Sequence, residues 1–224
     1  DIRRFSALLR EKYPHTPLFL LGQSMGSFMA RDILIRYDEE YQGVILCGTC
    51  HNPASRYMLS ILACDVAALR HGKHGKSRMV RDICFGSYAR RFRQEGNYSA
   101  WLSRDSQVQA DYAQDRYCRF TPKISMFREV FRGMRHMDRP RNLRRIRRDI
   151  PLLIFSGDQD GAGGMGKGVS KVYRILHQAG PRDVELLLYP GGRHIMLNEV
   201  NKQEVYEDIY QWLKEHVPAL AGEN

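Results

Sequence analysis

"LFLLGQSMGSFMARDIL", residues 18–34, carries the decisive pattern of this chain. The apolar run 18–21 is short enough for a buried strand. It leads without a break into Gly22-Gln23-Ser24-Met25-Gly26, after which apolar residues recur at helical spacing. A strand, a Gly-x-Ser-x-Gly turn and a helix in that order hold a serine on a strained corner, its hydroxyl projecting above a sheet. The reading predicts that a side chain two residues before or after Ser24 would collide with the crowded turn, so that Gly22 and Gly26 are both demanded by space. The helix that follows directs its first N–H groups and positive dipole end toward the hydroxyl, where an oxyanion would develop.

Three more apolar runs, residues 44–47, 152–155 and 184–189, lack the alternation of half-exposed strands. Such runs read as strands buried on both faces, hence a parallel sheet covered by helices. Helical patterns alternate with them at residues 2–12, 25–37, 166–179 and 201–216, which predicts an α/β fold. In the first, Ile2, Phe5, Leu8 and Leu9 fall on one stripe. The last opens with Asn201-x-x-Glu204, a capping-box pattern, and carries Val205, Ile209, Trp212 and Leu213 on one face. Residues 51–148 break the rhythm, being helical, loop-like and rich in arginine. They are read as a helical cap inserted between two sheet strands, with residues 1–50 and 149–224 forming the core.

The net charge of +10 is unevenly placed: residues 70–148 hold 21 Lys/Arg against 7 Asp/Glu. A solvated basic face is one reading, attraction to an anionic membrane surface or substrate the other. No recognition motif accompanies the arginines, so nucleic acid is not expected as a partner. No apolar run approaches the ~18 residues of a membrane span. Five cysteines in 224 residues do not form a disulfide framework, and a cytoplasmic setting is expected. The chain opens at Asp1 within a helical pattern, which reads as a start internal to a longer protein.

A nucleophilic serine needs a base, and the base an orienting acid. Of eight histidines, His194 is best placed, in the flexible glycine loop Pro190-Gly191-Gly192-Arg193-His194 between the last strand and the last helix. The acid should leave the preceding strand, where "IFSGDQDGAGG" offers Asp158 and Asp160. The turn must swing back toward histidine, which favours Asp160 and leaves Asp158 to cap the turn.

Taken together, "LFLLGQSMGSFMAR", "FSGDQDGAGGMGKGV" and "LYPGGRHIMLNEV" resemble the α/β-hydrolase superfamily, in its branch of monoacylglycerol lipases, lysophospholipases and serine aminopeptidases. The resemblance extends to "WLSRDSQVQADYAQDRYCRF", which is similar to part of that family's cap. It implies Ser24 as nucleophile, Asp160 as acid and His194 as base, with the Met25 N–H as one oxyanion donor and no cofactor or metal. Gln23 stands where the family usually has histidine, and Gly161 where proline is common. The early strands and the His-Gly loop that supplies the family's second oxyanion donor are not found in this chain. The expected fold is therefore a partial α/β-hydrolase sheet with a cap, its apolar first strand an open edge through which copies could associate.

Two patterns compete for attention. Cys47-Gly48-Thr49-Cys50-His51 fits a haem-attachment or redox motif, but Cys47 ends a buried strand and is most simply an apolar filler. His71 and His74 form a metal-like pair without a nearby third ligand. The expected function is hydrolysis of a lipid or small acyl ester, the alternative a weak or silent hydrolase-like chain. Met58, Leu59, Ile61, Leu62, Phe127, Val130 and Phe131 are candidates for an acyl tunnel or for ordinary cap core.

Overall fold

The computed structural model describes residues 1–118 and 120–217, the side chains of Ser87 and Ala89 excepted; residues 218–224 of the expected core lie outside them. Four strands, β1 (Phe19–Gln23), β2 (Gly43–Cys47), β3 (Leu152–Gly157) and β4 (Val184–Tyr189), form one parallel sheet in the order β1-β2-β3-β4. Helices α1 (Ile2–Lys12), α2 (Met25–Tyr37), α8 (Lys167–Ala179) and α9 (Lys202–His216) accompany the strands. Between β2 and β3 run α3 (Ala54–His71), α4 (Arg78–Arg91), α5 (Ser106–Gln114), α6 (Ile124–Met137) and α7 (Pro140–Leu143). None of the described helices is long and apolar enough to cross a membrane.

Burial follows from strand geometry. Successive side chains of β2 and β3 point to opposite faces. Val44, Leu46, Leu152 and Ile154 join one core with α2 and α8, while Ile45, Cys47, Leu153 and Phe155 join another with Trp212 and Val205 of α9. Every residue of these two strands is buried. At about 1.5–3 kcal/mol for each large aliphatic side chain, the middle strands anchor the sheet. The outer strands differ from expectation: β1 and β4 are only partly covered, with Leu21 42% and Leu188 37% exposed, because each has a neighbour on one side only.

The helices keep most of their expected faces. Val169, Val172 and Leu176 bury one stripe of α8, and Val205 and Trp212 are buried on α9 with Ile209 and Leu213 packed beside them. In α1 the expected stripe fails. Phe5 and Leu8 are exposed, whereas Ser6 is buried and bonded to the Tyr41 hydroxyl at 2.8 Å, with Ile2 against the core. The expected capping box is also absent. Asn201 makes no side-chain bond to the α9 backbone and instead donates from Nδ2 to Glu204 Oε2 at 2.7 Å. Helices α3, α4 and α6 share a separate small core of Cys64, Ala67, Val80, Ile124 and Phe127.

Candidate active site

Parallel strands in register deliver their C-terminal ends to one rim. Gln23 pairs with Cys47, Cys47 with Phe155 and Phe155 with Leu187. Ser24 follows β1 directly, Asp160 follows β3, and His194 follows β4. The turn at Ser24 is strained as the motif requires, with φ of 54° at a non-glycine residue. It is held because Ser24 N–H donates to the Cys47 carbonyl at 2.9 Å, and the Ser24 carbonyl accepts from Ser27 Oγ at 2.6 Å.

The two motif glycines are unequal. A Cβ on Gly22 would lie 2.4 Å from the Gly26 carbonyl oxygen and 2.9 Å from Ala30 Cβ, so strand and helix meet there with no room for a side chain. A Cβ on Gly26 would have nothing within 4 Å, contrary to the crowding expected on both sides. The reason is geometric: Gly22 faces back into the strand–helix contact, whereas Gly26 lies on the open side of the first helical turn.

Behind the serine the three predicted side chains form a continuous relay. His194 Nε2 is 2.7 Å from Ser24 Oγ, and His194 Nδ1 is 3.0 Å from Asp160 Oδ2. Asp160 is fully buried and His194 nearly so. Burial alone would push the Asp160 carboxyl up, but the adjacent His194 ring, the Gly163 N–H and the Ser156 hydroxyl hold it below its ordinary value. An ionised carboxylate accepts the Nδ1–H, which leaves the Nε2 lone pair to accept from the serine hydroxyl. Asp158 is elsewhere: its Oδ1 accepts from Gly191 N–H at 2.8 Å, bracing the glycine loop.

Two further glycines let that loop come close. A Cβ on Gly157 would sit 1.9 Å from the Gly192 carbonyl, and one on Gly48 would lie 3.0 Å from the His194 carbonyl oxygen. The Cys47–His51 motif is thus accounted for by packing. Burial pushes the Cys47 thiol well above its ordinary value and Cys50 to about 12. Among the described residues no group of three His, Cys, Asp or Glu side chains gathers as a metal site would require.

Beside Ser24 and His194 opens a cavity of about 150 Å³, lined by Phe127, Val130 and Phe131 among the expected tunnel residues and by Phe85, Tyr88 and Trp101. Met58, Leu59 and Leu62 are not part of it. They are 52–66% exposed on the outer face of α3, while Tyr57 and Ser60 turn inward to the cavity.

Several residues at this site were not legible beforehand. Ser156 donates to Asp160 Oδ2 at 3.0 Å. Arg31, 1% exposed, donates to the Cys50 carbonyl at 3.1 Å and pairs with Asp138 at the end of α6. Asp138 also accepts from the Tyr57 hydroxyl at 3.0 Å and lies 2.8 Å from His51 Nδ1. Arg31 is one of three charges on α2, beside Asp32 and Arg36, and nothing local in the sequence set it apart as the buried one or named its distant partner.

With a parallel sheet, a serine corner and the Ser–His–Asp relay in place, the class is an α/β hydrolase. The chain belongs to the family described as serine aminopeptidase, S33, which it matches over residues 1–201. It is 24% identical over 220 residues to a monoacylglycerol lipase of Mycolicibacterium smegmatis, covering 97% of this chain and 69% of that protein. A monoglyceride lipase of Mus musculus is 21% identical over 227 residues, covering 99% of this chain and 66% of that one. The chain therefore spans about two thirds of the length of these relatives. Among solved structures, a highly thermostable carboxyl esterase from Bacillus coagulans, in complex with glycerol, superposes with a TM-score of 0.88 at 27% identity, over 97% of this chain and 71% of that one.

Proposed function

We propose that this chain is a serine hydrolase that cleaves the carboxylic ester of a lipid or small acyl substrate, of the monoacylglycerol type. The observation that carries the reading is the unbroken Ser24–His194–Asp160 relay at 2.7 and 3.0 Å. It is supported by the esterase and lipase names of the relatives and by the apolar cavity beside Ser24.

In this mechanism Ser24 Oγ attacks the ester carbonyl while His194 Nε2 takes its proton. Asp160 stabilises the imidazolium that forms. The oxyanion develops at the start of α2, where the Met25 N–H has no acceptor one turn back. His194 then gives its proton to the departing alkoxide, and water repeats the sequence to release the acid. The positive excess over residues 70–148 would favour an anionic lipid surface, testable by co-sedimentation with vesicles of stated charge. The partly covered outer strand β1 offers an edge for self-association, read from size in solution. All five cysteines are unpaired, which suits the reducing cytoplasm.

A fluorophosphonate probe should label the chain on Ser24, and Ser24→Ala should abolish labelling. Asp160→Asn should cut ester turnover by ~10⁴, since His194 loses the partner that fixes its tautomer. Asp158→Asn should cost far less. Labelling that survives Ser24→Ala refutes the assignment, and labelling without measurable turnover of any acyl ester favours the silent alternative.

A further inference from the structure

The loop that carries His194 is glycine-rich, and flexibility was expected of it; the structure holds it from both sides. The residue before His194 and two beyond it all reach the same stretch of the helical insertion, residues 95–104. Arg193 Nη2 and Nη1 meet Glu95 at 2.6 and 2.9 Å, and Nη1 also reaches the Ala100 carbonyl, with the guanidinium stacked 4.3 Å from the Phe92 ring centroid. Ile195 N–H donates to the Leu102 carbonyl at 2.8 Å. Glu199, with no exposed surface, accepts from Ser103 Oγ and Arg104 N–H at 2.9 Å and from Arg104 Nε at 2.7 Å. Between these ties the Trp101 indole lies against the His194 ring, centroids 4.9 Å apart and planes 37° apart.

We propose that Trp101, Ser103 and Arg104, gripped through Arg193 and Glu199, are positioning residues for His194. On this view the Trp-Leu-Ser-Arg-Asp stretch is a working part of the hydrolytic centre and not a detachable cover. The inference rests on the reading of His194 as the base. Its physical ground is the buried Glu199 carboxylate. An isolated buried charge is strongly disfavoured, so its three donors act to keep residues 103–104 and 199 together. A swing of the loop that moved His194 by an ångström would break those contacts. Trp101 closes the remaining direction, since its ring occupies the space into which the imidazole would tilt.

The test compares Glu199→Gln, Trp101→Leu and Trp101→Phe with the parent chain. The fluorophosphonate labelling rate, corrected for the folded fraction, is read beside the His194 ring-proton resonances. Glu199→Gln places an amide N–H₂ among donors and is expected to slow labelling about 10–100-fold, the cost of an ångström-scale misplacement. Trp101→Leu should slow labelling and remove the indole ring-current displacement of the His194 protons, with Trp101→Phe restoring part of both. Because Glu199 does not line the cavity, its effect with an ester substrate should fall on kcat and leave KM nearly unchanged. If the folded variants label at the parental rate, the clamp is merely structural and the inference is overturned, whatever the loss of the indole ring current does to the His194 resonances. Should Glu199→Gln not fold, Arg104→Met, which like Glu199 lies outside the cavity lining, takes its place with the same expected effect. The underlying reading fails separately, through parental labelling that survives Ser24→Ala or His194→Ala.

Discussion

Replacing Arg31 by methionine should destabilise the protein more than any other single charge removal on α2, and the structure sets the scale. The guanidinium is 2% exposed and its partner carboxylate, Asp138, 7%. Removing one member of so buried a pair leaves the other unpaired, at about 3–5 kcal/mol. Asp138 retains the Tyr57 hydroxyl donor and the His51 ring, so Arg31→Met belongs at the lower end, about 3 kcal/mol. Asp138→Asn leaves a buried guanidinium with only carbonyl acceptors and belongs near the upper end. At roughly 2–4 °C per kcal/mol for a chain of this size, Arg31→Met should lower Tm by about 6–12 °C. The double variant Arg31→Met with Asp138→Leu removes both charges and should lose less than the sum, the remaining cost being the Tyr57 hydroxyl and the Cys50 carbonyl left without these partners, at about 1 kcal/mol each. A pH series adds a second check. Burial pushes the Asp138 carboxyl up, yet Arg31 and His51 hold it below its ordinary value. Its stabilisation is therefore complete above the ordinary carboxylate range and lost as pH falls through the lowered value. Asp138→Asn should lack that component of acid sensitivity. Thermal and urea unfolding followed by far-UV circular dichroism measure these three variants and the single Asp138→Leu that closes the cycle. An Arg31→Met Tm within 2 °C of the parent, or a double variant as poor as the sum of the singles, would refute the reasoning.

Two further expectations are independent of that pair. Gly22→Ala should destabilise by about 1–3 kcal/mol through the clash at 2.4 Å and slow Ser24 labelling, whereas Gly26→Ala, with open space and a helical backbone, should be neutral or stabilise by up to about 1 kcal/mol. Equal losses from both would show that the corner is crowded on each side. His216 is 2.8 Å from Asp183 through Nε2 and 2.6 Å from the Trp212 carbonyl through Nδ1, an arrangement that satisfies only the doubly protonated ring. Burial opposes that charge, but the Asp183 bond outweighs it and the value is raised. Its stabilisation is full below the ordinary histidine value and is lost as pH rises through the raised one. His216→Phe should flatten the stability profile there, and an unchanged slope would contradict it.

Local chemistry was enough to read the strand–serine–helix corner, the parallel sheet and the three residues of the relay. Each is announced by its own neighbours: an apolar run without alternation, glycine at the tightest place, an acid and a histidine after successive strands. That Asp160 lies against His194 while Asp158 braces the glycine loop was also readable, because the length of a turn fixes how far back a side chain can reach. What required the tertiary structure is everything that depends on who comes near whom. Gly22 and Gly26 look alike in a motif and differ only once the strand packs on one of them. Phe5 and Leu8 match a helical stripe, yet the core reaches α1 through Ile2 and Ser6. Arg31 and Asp138 are 107 positions apart, and Glu199 meets Ser103 across 96. Sequence periodicity reports which face of one element is apolar. It carries no information on the partner that a buried charge will find across the fold, and here those partners hold the insertion against the sheet and His194 against Ser24.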